Sequence, residues 1–244
     1  MFRPTARLTK INYNEVLMYL GHRGQDIDSS VDEQIRRCID IIANAAAPKL
    51  TWRMAQVRDG MPEGFALPGK DIRKLLESSE QAVFLAVTLG AGIDRLLLQY
   101  EIRDMADAFI LDACAAAAVE NVCNNFEEDI KAGIDKRAAD ESAGTELPAK
   151  AESGGNKTYY LTDRFSPGYG DLPIETQKLF AEFLNTSRTI GVNVTENYLM
   201  IPRKSVTAVL GISNVPQSHR ASGCEVCSMF RTCPYRKNGS TCTG

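Results

Sequence analysis

The stretch RFSPGYGDLP, at positions 164–173, carries the most specific signal in this chain. It follows a strand-like run at 158–162 and precedes a helix-like run, so it joins two elements of secondary structure. Arg164 supplies a permanent cation, and a Ser-Pro-Gly turn with a second glycine follows it. Such a turn lets backbone approach a ligand closely, and arginine binds carboxylates and phosphates. An ordinary strand-to-helix connection has the same turn chemistry, so the spacing alone leaves both interpretations open.

Composition indicates a globular protein of one large domain or two small ones. The chain has 244 residues, of which 44% are hydrophobic and 24% charged. A net charge of −3 and a pI of about 5.6 provide no overall basic field for nucleic acid or an anionic membrane. The two histidines, His22 and His219, argue against a multi-histidine metal site or a histidine-centred triad.

The sequence predicts a cytoplasmic protein. Its first residues, MFRPTAR, lack the apolar core of a signal peptide. The most apolar run, at 82–92, is too short to span a bilayer and is typical of a buried strand. Seven cysteines in a reducing compartment are then thiols or metal ligands rather than disulfides.

Periodicity predicts an α+β fold without fixing its topology. Helices are expected near 14–20, 30–47, 69–78 and 104–134 and after Pro173, and strands near 50–58, 82–89, 158–162, 191–194 and 206–212. A capping box at 30–33 is expected to begin the second helix. Small, polar residues at 135–157 predict a mobile loop. The predicted organisation is one domain over 1–222 and a cysteine-rich tail over 223–244.

Two charged residues are candidates for ligand contacts. Glu120 follows an alanine-rich face on the long helix, where its carboxylate would hydrogen-bond a ligand, although most charged helix residues are simply solvated. Lys204 stands at the entrance of the last strand, where it would either neutralise an anion or be an exposed strand-end lysine.

The tail contains four cysteines with the spacing C-x2-C-x5-C-x8-C: Cys224, Cys227, Cys233 and Cys242. The two thiolates of a C-x2-C knuckle can bind one metal ion. Two further sulfurs would complete either a tetrahedral zinc site or the ligand set of an iron–sulfur cluster. Basic neighbours favour thiolates, so redox-active thiols are a second interpretation, and unligated cysteines are a third. The spacing does not distinguish zinc from iron.

Over 164–173 the chain resembles the reactivation domain of cobalamin-dependent methionine synthase, whose Arg-x-Ser-x-Gly-Tyr-Pro-Ala-Cys-Pro stretch binds S-adenosylmethionine. The residues that match this stretch are Arg164, Ser166, Gly168, Tyr169 and Pro173. Positions 170–172, Gly-Asp-Leu, replace the Pro-Ala-Cys portion. The Ser-Val pair at 205–206 is similar to the family's strand entrance. Positions 14–21 and 87–90 and the tail resemble short, free-standing relatives in anaerobic bacteria.

The resemblance implies an α+β fold in which helices flank a twisted, largely antiparallel sheet. It implies a protein that binds S-adenosylmethionine and reactivates methionine synthase by supporting reductive methylation of cob(II)alamin. The implied partners are the cobalamin-binding module of methionine synthase, or a related corrinoid protein, and an electron donor. No catalytic nucleophile or base, and no independent turnover, is expected, because the cofactor carries the chemistry.

The resemblance also implies roles for particular residues. Arg164 would hold the methionine carboxylate, Ser166, Gly168 and Tyr169 would contact the ligand, and Glu120 would contact its amino group. A cluster on the tail cysteines would deliver the activating electron. The competing hypotheses are an iron–sulfur or zinc module for electron transfer or assembly that serves another corrinoid methyltransferase system, and a methyltransferase with its own small substrate.

Overall fold

The computed structural model describes residues 4–143 and 158–216. Its strands are β1 (Lys49–Arg58), β2 (Met61–Pro62), β3 (Ser79–Thr88), β4 (Tyr160–Leu161), β5 (Asn193–Val194), β6 (Met200–Ile201) and β7 (Ser205–Ser213). Its helices are α1 (Tyr13–Tyr19), α2 (Ser29–Ala45), α3 (Lys70–Leu76), α4 (Ala91–Arg103), α5 (Met105–Ala143), α6 (Thr176–Leu184) and α7 (Thr186–Thr189). The predicted α+β class is confirmed.

Five strands form one antiparallel sheet in the order β2-β1-β3-β7-β4, and β5 and β6 form a separate pair. The central strands β3 and β7 are buried along most of their length, because nearly every side chain in them is apolar or small. A strand whose two faces are both apolar requires cover on both sides of the sheet. The antiparallel sheet flanked by helices agrees with the expectation from the resemblance.

Each face of the sheet packs into its own core. On the face that we call the α5 face, Val83, Leu85 and Val87 of β3 pack with residues of α1, α2, α4 and α5. On the opposite face, the α6 face, Ala82, Phe84 and Ala86 pack with α3 and α6. The small residues in the first half of α5 are buried and allow this long helix to lie close to its neighbours.

Two predicted boundaries are wrong. Asp28, rather than the capping box at 30–33, caps α2, because its carboxylate accepts the backbone N–H of Ser30 at 2.8 Å. The helix predicted to end near 134 continues as α5 to Ala143, so 135–143 is helical rather than part of a loop. Alanine, lysine, arginine and glutamate in that stretch are good helix formers.

The remainder of the predicted loop, 144–157, and the cysteine-rich tail lie outside the described residues. The division into a domain and a tail therefore stays a prediction. In the parts of the chain that the structure describes, no helix is both long enough and apolar enough to cross a membrane.

Candidate functional site

A change of register between β4 and β7 places Arg164. Leu161 pairs with Ile212, and Phe165 pairs with Val209. Between these two pairs the chain advances by four residues on the Leu161 side but by only three in β7. The extra residue is a β-bulge, which reorients the side chains that follow it. The Phe165 side chain enters the core of the α6 face, and its neighbour Arg164 extends to the α5 face.

The guanidinium of Arg164 contacts three side chains of α5. Its Nη2 donates to Glu120 Oε2 at 2.7 Å and to Asn124 Oδ1 at 2.9 Å, and its Nη1 donates to Glu127 Oε1. These three α5 residues lie four and three positions apart, so they form one stripe on the helix surface. The Arg164 side chain is only 20% exposed. The structure therefore brings together Arg164 and Glu120, which the sequence analysis had selected separately.

Glu15 of α1 is half-buried and lies within electrostatic range of Glu120 and Arg164. Burial raises the pKa of Glu15, the charge of Glu120 raises it further, and Arg164 lowers it. Burial likewise raises the pKa of Glu127, against the lowering effect of Arg164. We call Arg164, Glu120 and Glu127 the Arg164 cluster. Its two carboxylates outnumber its one guanidinium, so the cluster carries an excess of negative charge that a cationic ligand would offset.

The turn after Arg164 is closed by its own backbone. Tyr169 N donates to Ser166 O at 3.1 Å, and Gly168 N donates to Leu172 O at 2.9 Å. Gly168 has a φ of 85° and Gly170 a φ of 56°, conformations that favour glycine. A Cβ on Gly170 would stand only 2.8 Å from Asp71 Oδ2. Gly170 therefore lets this turn pack directly against the start of α3.

Tyr169 packs on the α6 side of this turn. Its ring meets that of Phe165 edge to face, with centroids 5.4 Å apart, and 61% of the residue is exposed. The sequence-predicted site residues thus form two adjoining groups. Arg164 and Glu120 meet on the α5 face, and Ser166, Gly168 and Tyr169 form the turn that follows.

Asp171 caps a helix in the segment where this chain departs from the family stretch. Its carboxylate accepts the backbone N–H of Lys70 at 2.6 Å and that of Asp71 at 3.1 Å, at the N-terminus of α3. These hydrogen bonds hold the pKa of Asp171 below its ordinary value. Gly69 accommodates the carboxylate, since a Cβ there would stand 2.7 Å from Asp171 Oδ1. Where the family stretch has neutral residues, this chain has the Asp171 carboxylate, which connects the turn to α3 by hydrogen bonds.

A cavity of about 870 Å³ opens beside this cap. Lys70, Arg73 and Lys74 line it together with Asp59, Glu77 and Asp171. The three basic and three acidic side chains that line the cavity therefore balance in charge. The Asp171 carboxylate already accepts two backbone N–H groups of α3. The Arg164 cluster, with its surplus charge, is the stronger candidate for a ligand site.

Lys204 is neither an anion site nor an exposed strand-end lysine. Its Nζ donates to Asp112 O and pairs with Asp112 Oδ1, both at 3.0 Å, and only 14% of its side chain is exposed. It joins the start of β7 to α5. Reasoning from sequence also missed Glu127 and Asn124, although their spacing from Glu120 on one helix face was visible. Glu15 gave no such signal, because its proximity depends on how α1 packs.

The described cysteines are packing residues. Cys38, Cys114 and Cys123 are buried and unbridged, and burial raises the pKa of each thiol to about 12. Within 4–143 and 158–216, no group of three or more histidine, cysteine, aspartate or glutamate side chains is arranged to hold a metal. The predicted ligands Cys224, Cys227, Cys233 and Cys242 lie outside the described residues, so metal binding there stays a prediction.

Residues 72–220, more than half of the chain, match the model of the family described as vitamin B12 dependent methionine synthase, activation domain. The chain belongs to this family. The matched region contains Glu120, Glu127 and the whole stretch at 164–173. The resemblance read from sequence is thereby confirmed. The competing interpretation as an electron-transfer or assembly module receives no support.

The fold agrees with the same family. A crystal structure of the MetH reactivation domain bound to AdoHcy matches with a TM-score of 0.52 at 14% identity. The match covers 100% of this chain and 90% of that one. At this identity the similarity shows the fold alone. No curated protein matches the sequence.

Proposed function

We propose that this activation domain binds S-adenosylmethionine at the Arg164 cluster and the adjoining turn. It presents the sulfonium methyl to cob(II)alamin held by a partner, in support of reductive methylation. The observation that carries the proposal is the contact of Arg164 with Glu120 and Glu127 beside the 166–170 turn, in a chain of this family.

The charges of the cluster fit this ligand. S-adenosylmethionine has a carboxylate, an ammonium and a sulfonium, and so a net single positive charge. A guanidinium binds a carboxylate through paired N–H donors, while carboxylates accept from an ammonium. Without ligand, Arg164 and the two glutamates satisfy one another; with ligand, each exchanges part of that contact for the oppositely charged end of the amino acid. The surplus negative charge favours a cation over an anion.

Particular contacts follow from this assignment. Arg164 holds the methionine carboxylate, and Glu120 and Glu127 hold the amino group. Ser166 and Tyr169 contact the ligand from the turn, and Gly168 leaves its backbone open to close approach. These residues bind and orient the methyl donor; no residue of this chain is required to accept or donate a proton.

The methyl transfer itself belongs to the partner's cobalamin. One external electron reduces cob(II)alamin to cob(I)alamin, the methyl–sulfur bond breaks as a cobalt–carbon bond forms, and S-adenosylhomocysteine leaves. The proposed partner is the cobalamin-binding module of methionine synthase or a related corrinoid protein, with a separate electron donor. The chain's task is to dock and to orient, and it has no independent turnover.

Isothermal titration of the anaerobically purified chain with S-adenosylmethionine tests the proposal. The native chain, Arg164→Ala, Arg164→Lys and the control Arg188→Ala are compared, since Arg188 is an exposed cation on α7. Circular dichroism and thermal melts verify that each variant is folded. We expect binding by the native chain and the control, and a loss of at least tenfold in affinity for Arg164→Ala.

Arg164→Lys separates charge from geometry. Lysine keeps the positive charge but lacks the paired donors of the guanidinium, so partial loss of affinity is expected. Equal affinity for the native chain and folded Arg164→Ala would overturn the assignment of Arg164. A folded native chain that binds no S-adenosylmethionine would overturn the proposal itself.

A further inference from the structure

The outer edge of β1 has no neighbouring strand over most of its length in the described part of the chain. On one side, positions 49–56 pair with β3. On the other side, β2 pairs only with Val57 and Arg58, because the chain reverses in a two-residue turn at 59–60 and β2 is short. A strand edge without a neighbour presents a row of backbone donors and acceptors on which a further strand can form.

One hydrogen bond shows which backbone groups of β1 face outward. Glu63 N donates to Gln56 O at 2.8 Å on the β2 side, so the backbone groups of Gln56 point away from β3. This direction alternates from one residue to the next along a strand. Leu50, Trp52 and Met54 therefore direct their N–H and C=O groups outward. None of the hydrogen bonds between described residues involves these groups.

The side chains of β1 differ between the two faces of the sheet. Leu50 and Trp52 pack against the core of the α5 face, and Met54, which points the same way, is 36% exposed. Lys49 and Arg53 point to the α6 face, and both are exposed. A strand added outside β1 would therefore meet apolar side chains on one face and cations on the other.

The charge of β1 selects the kind of strand that can pair with it. The strand contains Lys49, Arg53 and Arg58 and no acidic residue. Arg58 pairs with Glu63 at 2.7 Å, whereas the other two cations form no ion pair with a described residue. A second copy of β1 would place cations beside cations, and like charges destabilise paired strands. An acidic strand would instead offset both cations.

We propose that the outer edge of β1 binds an extended segment of a partner protein in which acidic and apolar residues alternate. The segment adds a sixth strand to the sheet. Its backbone bonds to the outward groups of Leu50, Trp52 and Met54, its acidic side chains lie beside Lys49 and Arg53, and its apolar side chains cover the α5 face. This surface precedes residue 72, where the family match begins, and the inference does not depend on the methyl donor.

The test uses a fluorescein-labelled peptide of about nine residues in which glutamate alternates with valine, and a matched peptide with lysine in place of glutamate. Fluorescence anisotropy measures binding to the full chain. Met54→Pro removes an outward N–H and leaves the bonds to β3 intact, and Met54→Ala is its control. Arg53→Glu reverses one charge of the edge, and Arg188→Glu makes the same change at an exposed position on α7. Circular dichroism and thermal melts verify that each variant is folded.

We expect the native chain to bind the glutamate peptide and not the lysine peptide. Arg53→Glu should weaken binding about fivefold or more, because an attraction between strands becomes a repulsion. Met54→Pro should weaken it at least about tenfold, since a strand cannot pair across a proline. Both controls should match the native chain. The peptide should also slow hydrogen exchange at the amides of Trp52 and Met54, a readout that needs no variant.

Several results would overturn the inference. The first is a folded native chain that fails to bind the glutamate peptide or binds both peptides equally. Unchanged affinity in folded Met54→Pro would place the peptide elsewhere on the molecule. Slow exchange at the Trp52 and Met54 amides without peptide would show that the edge is already occupied. The occupant would be a second copy if that protection depends on protein concentration, and a segment of the same chain if it does not.

Discussion

Arg164 is the residue on which the site depends, because its guanidinium links the turn after β4 to two carboxylates of α5. At 20% exposure its side chain is largely shielded from solvent. Removal of the cation from such a position leaves like charges facing each other with no partner, which costs more than the pair contributes. The same side chain therefore serves stability and, under our proposal, binding.

Arg164→Ala is expected to lower the free energy of unfolding at neutral pH by about 2 kcal/mol. Burial already raises the pKa of Glu127, and loss of Arg164 removes an effect that lowers it. A carboxyl whose folded pKa lies above its unfolded value stabilises the fold at low pH, and that contribution is lost as the pH rises through the folded pKa. The loss of stability caused by Arg164→Ala should therefore shrink as the pH falls toward 4.5, the ordinary pKa of a glutamate side chain. Urea denaturation at several pH values measures the difference in the free energy of unfolding between the native chain and Arg164→Ala. A difference that does not change with pH would contradict this explanation.

Gly211 in β7 is required by close packing rather than by its backbone conformation. A Cβ at this position would stand 2.1 Å from Ser79 Oγ and 3.0 Å from Leu76 Cδ2. We expect Gly211→Ala to cost about 1–3 kcal/mol in the free energy of unfolding, and Ser79→Gly to relieve part of that cost in the double variant.

Gly92→Ala is the matched control for this prediction. A Cβ at Gly92, in α4, would find its nearest neighbour at 3.7 Å, an ordinary contact, and alanine favours a helix. Denaturant unfolding gives the free energy of unfolding of the native chain, Gly211→Ala, the double variant with Ser79→Gly, and Gly92→Ala. If Gly211→Ala is as stable as Gly92→Ala, Ser79 and Leu76 can move to accommodate the added methyl group, and the prediction is wrong.

At the level of elements, the turn at 166–172 and helix α3 stabilise each other. Asp171 accepts the first two backbone N–H groups of α3, and Gly170 allows Asp71 to approach the turn. Such a cap satisfies helix donors that have no intrahelical partner. The position of the turn therefore depends on α3 as well as on β7.

Asp171→Ala is expected to reduce stability at neutral pH, and Asp171→Asn, which keeps an acceptor oxygen, to reduce it less. The folded pKa of Asp171 lies below its ordinary value of 3.8, so its contribution is present above that value. The contribution is lost as the pH falls through the lowered folded pKa. Thermal melts of the three proteins between neutral and strongly acidic pH test this. A native advantage that persists undiminished in strong acid would refute the role of the carboxylate.

The sequence predicted the elements more accurately than their ends. Apolar runs and periodic faces identified β3, β7, α1 and the core of α5, since burial itself imposes those patterns. The end of α5 was missed because small and polar residues occur both in helices and in loops. The pairing of Arg164 with Glu127 was missed for another reason. It depends on a bulge beside β4, which has no local sequence signal.

For the whole molecule, the Arg164 cluster lies on the α5 face of the sheet, and the adjoining turn packs through Tyr169 against Phe165 of the α6-face core. The α5 face carries the Arg164 cluster and the N-terminal segment, whereas the α6 face holds the aromatic core around Phe84 and Phe180. Membership of the activation-domain family gives this arrangement its function, and the stretch at 164–173 gave that family from sequence alone. We propose that in this arrangement the chain positions the methyl group of bound S-adenosylmethionine for transfer to a partner's cobalt.

The most direct test is anaerobic spectroscopy of a cobalamin-binding module loaded with cob(II)alamin. The module is mixed with the full chain, S-adenosylmethionine carrying an isotopically labelled methyl group, and a low-potential reductant. We expect conversion to methylcobalamin with the label on cobalt, dependent on the native chain and strongly reduced with folded Arg164→Ala. Persistence of cob(II)alamin with a chain that binds S-adenosylmethionine, across methionine synthase and other corrinoid modules, would contradict it.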